Sequence, residues 1–251
     1  MFRLWSFDDL NVAKKSPIRN KDYIIGMKMS VDSICGVTLV GGGVFTQADL
    51  NLALGLAPML VAADGGANAL MAHAHMPQHV IGDMDSLDPA LMSRLRDRII
   101  HIPEQDSTDF DKCLHALNAP FVIALGFDGA RLDHTLAAMS SLVRHGRARV
   151  VMLAAQDICF LAPPHLSLAL PIGARVSLFP MTEVTGLSTG LEWPIEGLRF
   201  APDAQIGTSN RAETNRITLE FDQPGMLVLL ERAHLRPILT ALQDSPDWVS
   251  P

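Results

Sequence analysis

The chain has 251 residues, 48% of them apolar, and a formal net charge of −7. This is ample for a packed core in one large domain or two small ones. The acidic balance, with no Lys/Arg-rich stripe, argues against a protein that tracks a nucleic-acid backbone. No apolar run approaches the roughly 18 residues of a membrane span, and Met1 to Asp9 lack a secretory apolar core. The expectation is a cytoplasmic protein with neither nucleic acid nor membrane as partner.

Residues 1–30 are polar and irregular and read as an arm of unassigned role, with Met27 and Met29 as alternative starts where periodicity begins. From Gly36 to about Gln156, short β-rich apolar runs alternate with helical-period segments, as a mostly parallel, Rossmann-like α/β sheet requires. The predicted strands are Val37–Val40, Met59–Ala63, His79–Ile81, Ile99–Ile102, Phe121–Leu125 and Val150–Leu153. Helices are predicted near Ala48–Leu56, Ala67–His75, Pro89–Arg98, Asp109–Asn118 and His134–His145. Asp88 followed by Pro89 is an N-cap with a first-turn proline, and Thr108 with Asp111 three residues on has the form of a capping box.

From about Asp157 the pattern changes to short strands with Pro/Gly turns and no convincing long helix: Ile158–Leu161, Leu166–Leu170, Arg175–Phe179, Glu192–Ile195, Ile217–Phe221 and Met226–Leu230. The sequence therefore divides into an arm (1–30), an α/β domain (31–155) and a smaller all-β domain of antiparallel strands (156–251). Cys35, Cys113 and Cys159 are widely spaced, with no Cys-x-x-Cys and no histidine pair at zinc spacing, so they read as reduced structural thiols.

Seven aspartates between Ile81 and Asp133 fall in three clusters: Gly82-Asp83-Met84-Asp85-Ser86, Gln105-Asp106-Ser107-Thr108-Asp109-Phe110-Asp111-Lys112, and Gly126-Phe127-Asp128-Gly129-Ala130-Arg131-Leu132-Asp133-His134. Gly41–Gly43, Asp64, Asp83, Asp85 and Gly126 all follow the carboxyl ends of predicted strands, the edge where open α/β sheets bind ligands. Converging carboxylates repel and need a cation, and oxygen-only ligands point to Mg²⁺ shared with substrate phosphates. Each string has a bland reading as well. Asp-rich loops are common solvated turns, Asp109 and Lys112 fit an ordinary i,i+3 pair, and Arg131, Asp133 and His134 fit a surface ion pair at a helix start. Gly186-Leu187-Ser188-Thr189-Gly190 matches the nucleophile-elbow string, but no helix follows it, so a hydrolase is rejected. On residue type alone Trp193 reads as core more readily than as the face of a site, although indole is the best side chain for an organic cation.

Together, Ala63-Asp64-Gly65-Gly66-Ala67-Asn68, Gly-Asp-x-Asp-Ser at 82–86 and Asp106-x-Thr108-Asp109-x-x-Lys112 resemble the thiamine pyrophosphokinase family. The resemblance continues through Gly126 to His134, then Thr189-Gly190-Leu191-Glu192-Trp193 and Gly207-Thr208-Ser209-Asn210, covering roughly residues 37–235. It implies an α/β nucleotide domain, a β-sandwich, and a homodimer with active sites between subunits. It also implies Mg²⁺-dependent transfer of a diphosphoryl group from ATP to thiamine, giving thiamine diphosphate and AMP. Carried over by position, Asp83, Asp85 and Asp109 are the metal and catalytic acids, and Asp64, Gln105, Asp106, Thr108, Lys112, Arg131, Asp133 and His134 surround the nucleotide. Trp193, Ser209 and Asn210 are the thiamine contacts. Ala130 departs from the family's Gly-Gly-Arg-x-Asp-His string, and alanine resists positive φ. The base for the hydroxyl proton is left open between Asp109 and Asp85. Two alternatives stand beside this reading: a metal-dependent nucleotide-sugar transferase using the Asp-x-Asp loop, and a non-catalytic thiamine or nucleotide sensor.

Overall fold

The computed structural model describes residues 30–129 and 131–248. The arm expected before residue 30, Met27, Met29 and Ala130 lie outside the described residues. Alternating apolar strands and capped helices build the first half: β1 (Val31–Asp32), β2 (Val37–Val40), α1 (Gln47–Leu54), β3 (Met59–Ala63), α2 (Gly66–Ala72), β4 (His79–Gly82), α3 (Pro89–Leu95) and β5 (Ile99–His101). There follow α4 (Asp109–Ala116), β6 (Leu117–Asn118), β7 (Val122–Leu125), α5 (Leu132–Arg144) and β8 (Val150–Leu153). The second half holds β9 (Asp157–Leu161), β10 (His165–Ala169), β11 (Arg175–Pro180), β12 (Val184–Thr189), β13 (Arg199–Phe200), β14 (Gly207–Arg211), β15 (Arg216–Phe221), β16 (Met226–Glu231) and α6 (Leu235–Asp244).

The parallel strands lie in the order β8-β7-β2-β3-β4-β5. Because β3 to β5 extend one way from β2 and β7 and β8 the other, the order reverses between β2 and β7. In open α/β sheets such a reversal is where ligands bind beyond the strand carboxyl ends. Side chains alternate across the sheet. Leu60, Ala62, Val80 and Ile123 face one core with Leu50, Leu70 and Leu95 of α1, α2 and α3. Val37, Leu39, Val61 and Ile81 face a second core with Phe110 and Leu114 of α4 and Leu142 of α5.

The second half differs from expectation in its connection. It does not form a sheet of its own beside the first; β9 pairs antiparallel with β8, and β16, β11 and β14 continue outward. One mixed sheet of ten strands therefore runs through both halves. A four-stranded sheet, β10-β15-β12-β13, covers one face of this extension, with Leu166, Leu168, Ile217 and Leu219 in the shared core. The sandwich that the family resemblance implies is present, but this half also carries a helix and is β-rich, not all-β. Helix α6 buries Leu235, Ile238, Leu239 and Leu242 at i, i+3, i+4 and i+7. The strand expected at Glu192–Ile195 is instead a turn after an isolated bridge between Leu191 and Ala212. Among the described residues no helix is long and apolar enough to cross a membrane.

Candidate active site

Three carboxylates meet beyond the ends of β3, β4 and β5. Asp64 follows β3, Asp83 follows β4, and Asp109 opens α4, and one oxygen from each lies within 4.8 Å of the others. The backbone explains how they approach so closely. Gly82 has φ +156°, and a Cβ there would stand 2.8 Å from the Asp64 Cβ and 3.0 Å from Asp109 Oδ1. Any side chain at 82 would separate the two acids. Met84 anchors the loop by burying its side chain in the core. Its backbone is left-handed, at φ +68°.

Asp64 is fully buried with φ +36°. Its Oδ2 accepts from Ser86 N at 3.0 Å, while Oδ1 is the one buried side-chain polar atom without a hydrogen-bond partner among the described residues. Burial, together with the neighbouring Asp109, Asp85 and Asp83 and against the Ser86 bond, pushes its pKa up to about 6. Lys112 lies one turn into α4, buried, with Nζ 2.6 Å from Asp83 Oδ2 and 3.2 Å from Asp109 Oδ1. Its contact holds the Asp83 carboxyl below the usual range. Burial raises the Asp109 pKa, and Lys112 only partly opposes this. At a separation of 4.8 Å, two carboxylates in a partly screened cleft repel by about 3 kcal/mol. One lysine cannot neutralise three such groups. The orphaned Asp64 oxygen and the all-oxygen donor set fit a hard divalent cation.

The other expected residues divide clearly. Asp85 is exposed and accepts from Ser86 Oγ at 2.9 Å, outside the three-acid group but near enough to raise Asp64. Gln105 reaches the cluster, donating from Nε2 to Asp83 Oδ2 at 3.0 Å. Asp106 N donates to Glu104 at 2.8 Å. Glu104 was not anticipated; it also accepts from Ser107 N, and so shapes the loop ahead of α4. Thr108 caps α4 as its spacing predicts, accepting from Asp111 N at 3.2 Å and donating to Asp111 Oδ2 at 2.7 Å. Asp111 faces away from the cluster and ties α4 to α5, with Arg144 Nη2 at 2.8 Å and His145 Nε2 at 3.2 Å.

The loops after β2 and β7 interlock through Gly43 N donating to Gly126 O at 2.8 Å. Arg131 and Asp133 form an exposed pair at 2.6 Å, with His134 exposed beside them at the start of α5. The Gly186–Gly190 string lies along antiparallel β12, which removes the hydrolase reading structurally as well.

Trp193, Ser209 and Asn210 occupy a separate place. Trp193 is not core; it is 51% exposed. Buried Asn210 grips its main chain, accepting from Trp193 N at 3.2 Å and donating to Trp193 O at 2.7 Å. Ser209 sits at φ +63° with its N–H donating to Ser177 Oγ at 3.0 Å. Asn210 and Ser209 lie on β14, the outermost strand at the opposite end of the ten-stranded sheet from β4 and β5.

An acid cluster with an embedded lysine at the carboxyl edge of a parallel sheet suits the class of α/β proteins that handle phosphates through a metal ion. Two family models match the chain: "Thiamin pyrophosphokinase, catalytic domain" over residues 50–153 and "Thiamin pyrophosphokinase, vitamin B1 binding domain" over residues 167–226. Thiamine pyrophosphokinase 1 of Oryza sativa subsp. japonica is 30% identical over 203 residues, covering 66% of this chain and 77% of that protein. Thiamin pyrophosphokinase 1 of Caenorhabditis elegans is 26% identical over 180 residues, covering 64% and 74%. The solved thiamin pyrophosphokinase of Candida albicans superposes with a TM-score of 0.67 at 17% identity, over 83% of this chain and 95% of that one. That of Geobacillus thermodenitrificans gives 0.64 at 20% identity, over 78% and 97%. The chain belongs to the thiamine pyrophosphokinase family. These matches do not favour a sugar transferase or a sensor.

Proposed function

We infer that this chain is a thiamine pyrophosphokinase, transferring a diphosphoryl group from ATP to thiamine and releasing AMP. The observation that carries the reading is the Asp64–Asp83–Asp109 group, buried at Asp64 and joined by buried Lys112, in a chain that matches both domains of the family. The thiamine hydroxyl oxygen attacks the β-phosphorus of ATP, and the bond from that phosphorus to the α–β bridging oxygen breaks. The hydroxyl proton passes to a base, and AMP leaves with the bridging oxygen.

Asp64, Asp83 and Asp109 are the residues that would hold Mg²⁺, with Asp85 on the same loop. When bound, the ion supplies positive charge against the phosphate oxygens. Lys112 keeps Asp83 ionised and in place. The hydroxyl proton has two candidate acceptors, Asp109 and the exposed Asp85. Gln105, Asp106 and Thr108 before α4, Arg131 at the N-cap of α5 and Asp133 and His134 in its first turn are assigned to the nucleotide. Trp193 and Ser209 are assigned to thiamine; Asn210 serves it by fixing Trp193.

Seven to eight strand spacings separate β14 from β3 and β4, which at about 4.8 Å each is roughly 35 Å along the sheet. Thiamine joined to a triphosphate cannot span that distance, which supports a homodimer in which each site takes its acids from one subunit and its thiamine contacts from the other. The unpaired cysteines support a reducing, cytoplasmic setting.

The deciding experiment incubates the full chain with Mg-ATP and thiamine. AMP and thiamine diphosphate should appear in equal amounts. Formation of ADP, or of no phosphorylated thiamine, would reject the assignment.

A further inference from the structure

We propose that Glu192 and Arg211 are positioning residues for the aromatic platform that receives thiamine: Arg211, held by Glu192, braces one face of the Trp193 ring and leaves the other to the substrate. The proposal rests on the reading of Trp193 as a thiamine contact.

Asn210 secures only the main chain of Trp193. That leaves both side-chain torsions of a half-exposed indole free to vary, and an unbraced ring would have to be ordered at the moment of binding. The Arg211 guanidinium supplies the brace, with its central carbon 5.2 Å from the indole centroid. Its own orientation is fixed by Glu192, with Nε 2.7 Å from Oε2 and Nη2 2.9 Å from Oε1. This two-bond fork suits a planar guanidinium and not an ammonium. The backbone sets the pair in register: Leu191 bridges Ala212, and Glu192 N donates to Arg211 O at 2.9 Å.

Charge makes both members necessary. Thiamine is a permanent cation, and an unneutralised guanidinium against the platform would repel it. Glu192 cancels that charge while it aims the ring of donors. The two residues thus present an indole whose free face is ordered and whose surroundings carry no net positive charge.

The test is steady-state kinetics on the full-length protein, with thermal melting to establish folding. Arg211→Ala should raise the KM for thiamine about two- to fivefold, the range of an exposed cation–π contact, with no matching rise in the KM for ATP. Arg211→Lys keeps the charge but loses the planar stack and should move in the same direction. Glu192→Gln should also raise the thiamine KM. If the alanine variant does not fold, Arg211→Gln replaces it. A fall in thiamine KM on removing Arg211 would mean that the guanidinium competes with the substrate, and that outcome, or no change, overturns the proposal. Trp193→Ala separates the two levels. If it leaves the thiamine KM unchanged, the platform reading fails and the brace with it. If it raises the KM, and Arg211→Ala adds as much again in that background, the platform stands and the brace is overturned.

Discussion

Asp64 is the residue where structure adds most to the strings of the sequence. Burial pushes its carboxyl pKa up to about 6 in the folded chain against 3.8 for a solvent-exposed aspartate, so between those values the native state binds more protons than the unfolded one. Stability of the metal-free protein should therefore fall as pH rises through this window, by about 3 kcal/mol from this group. Melting in EDTA should show this slope, and Asp64→Asn should remove the share that Asp64 contributes, leaving a smaller one from Asp109. Mg²⁺ should stabilise the wild type more at pH 8 than at pH 5, because below pH 6 it competes with a proton at Asp64. Asp83→Asn and Asp109→Asn should fold normally and lose about 100- to 1000-fold in turnover, as loss of a key electrostatic group does; initial rates with saturating ATP and thiamine check this. Asp83 and Asp109 were legible because their neighbours form recognisable strings. The orphaned oxygen of Asp64 was not, since it depends on one left-handed backbone angle and on a glycine eighteen residues away.

At the level of elements, α4 carries two members of the cluster on one face and its restraint on the other. Asp111 accepts from the Thr108 cap, Arg144 and His145, so Asp111→Ala should cost about 2–3 kcal/mol by losing a cap and a partly buried charge partner. Urea unfolding measures that loss. The cap itself was readable, because Thr108 and Asp111 stand at capping-box spacing. Their tie to α5 was not, because Arg144 and His145 come from a segment more than thirty residues away. The first-half strands were readable from their apolar runs, whereas β14, Gly-Thr-Ser-Asn-Arg, has no apolar residue and is a strand only because β11 offers it an edge. β12 hid for another reason: it exposes Leu187 and buries Ser188, the reverse of the usual pattern. In α6, Pro237 in the first turn and the short length masked a regular apolar stripe.

For the whole molecule, the separation of acids from thiamine contacts yields an expectation that no single chain could meet. Asp109→Asn, defective in turnover, and Trp193→Ala, defective in thiamine use, should recover activity at low thiamine when dissociated and reassembled together. Random pairing in a two-site dimer restores one intact site in each mixed pair, about one quarter of wild-type activity. No recovery would place both halves of the site in one subunit. The strand and helix periodicity changes near residue 155, but periodicity cannot say whether two patterns belong to two sheets or one, and here one sheet runs through both.

The unbroken pairing from β8 into β9 limits how this enzyme can move. Domain closure needs a few residues free to rotate between rigid bodies, and here the passage between halves is itself hydrogen-bonded sheet. Bending it would tear the ladder. Admission of substrates and escape of products must then rely on the connecting loops beyond the strand carboxyl ends, leaving the span within the chain as a fixed ruler.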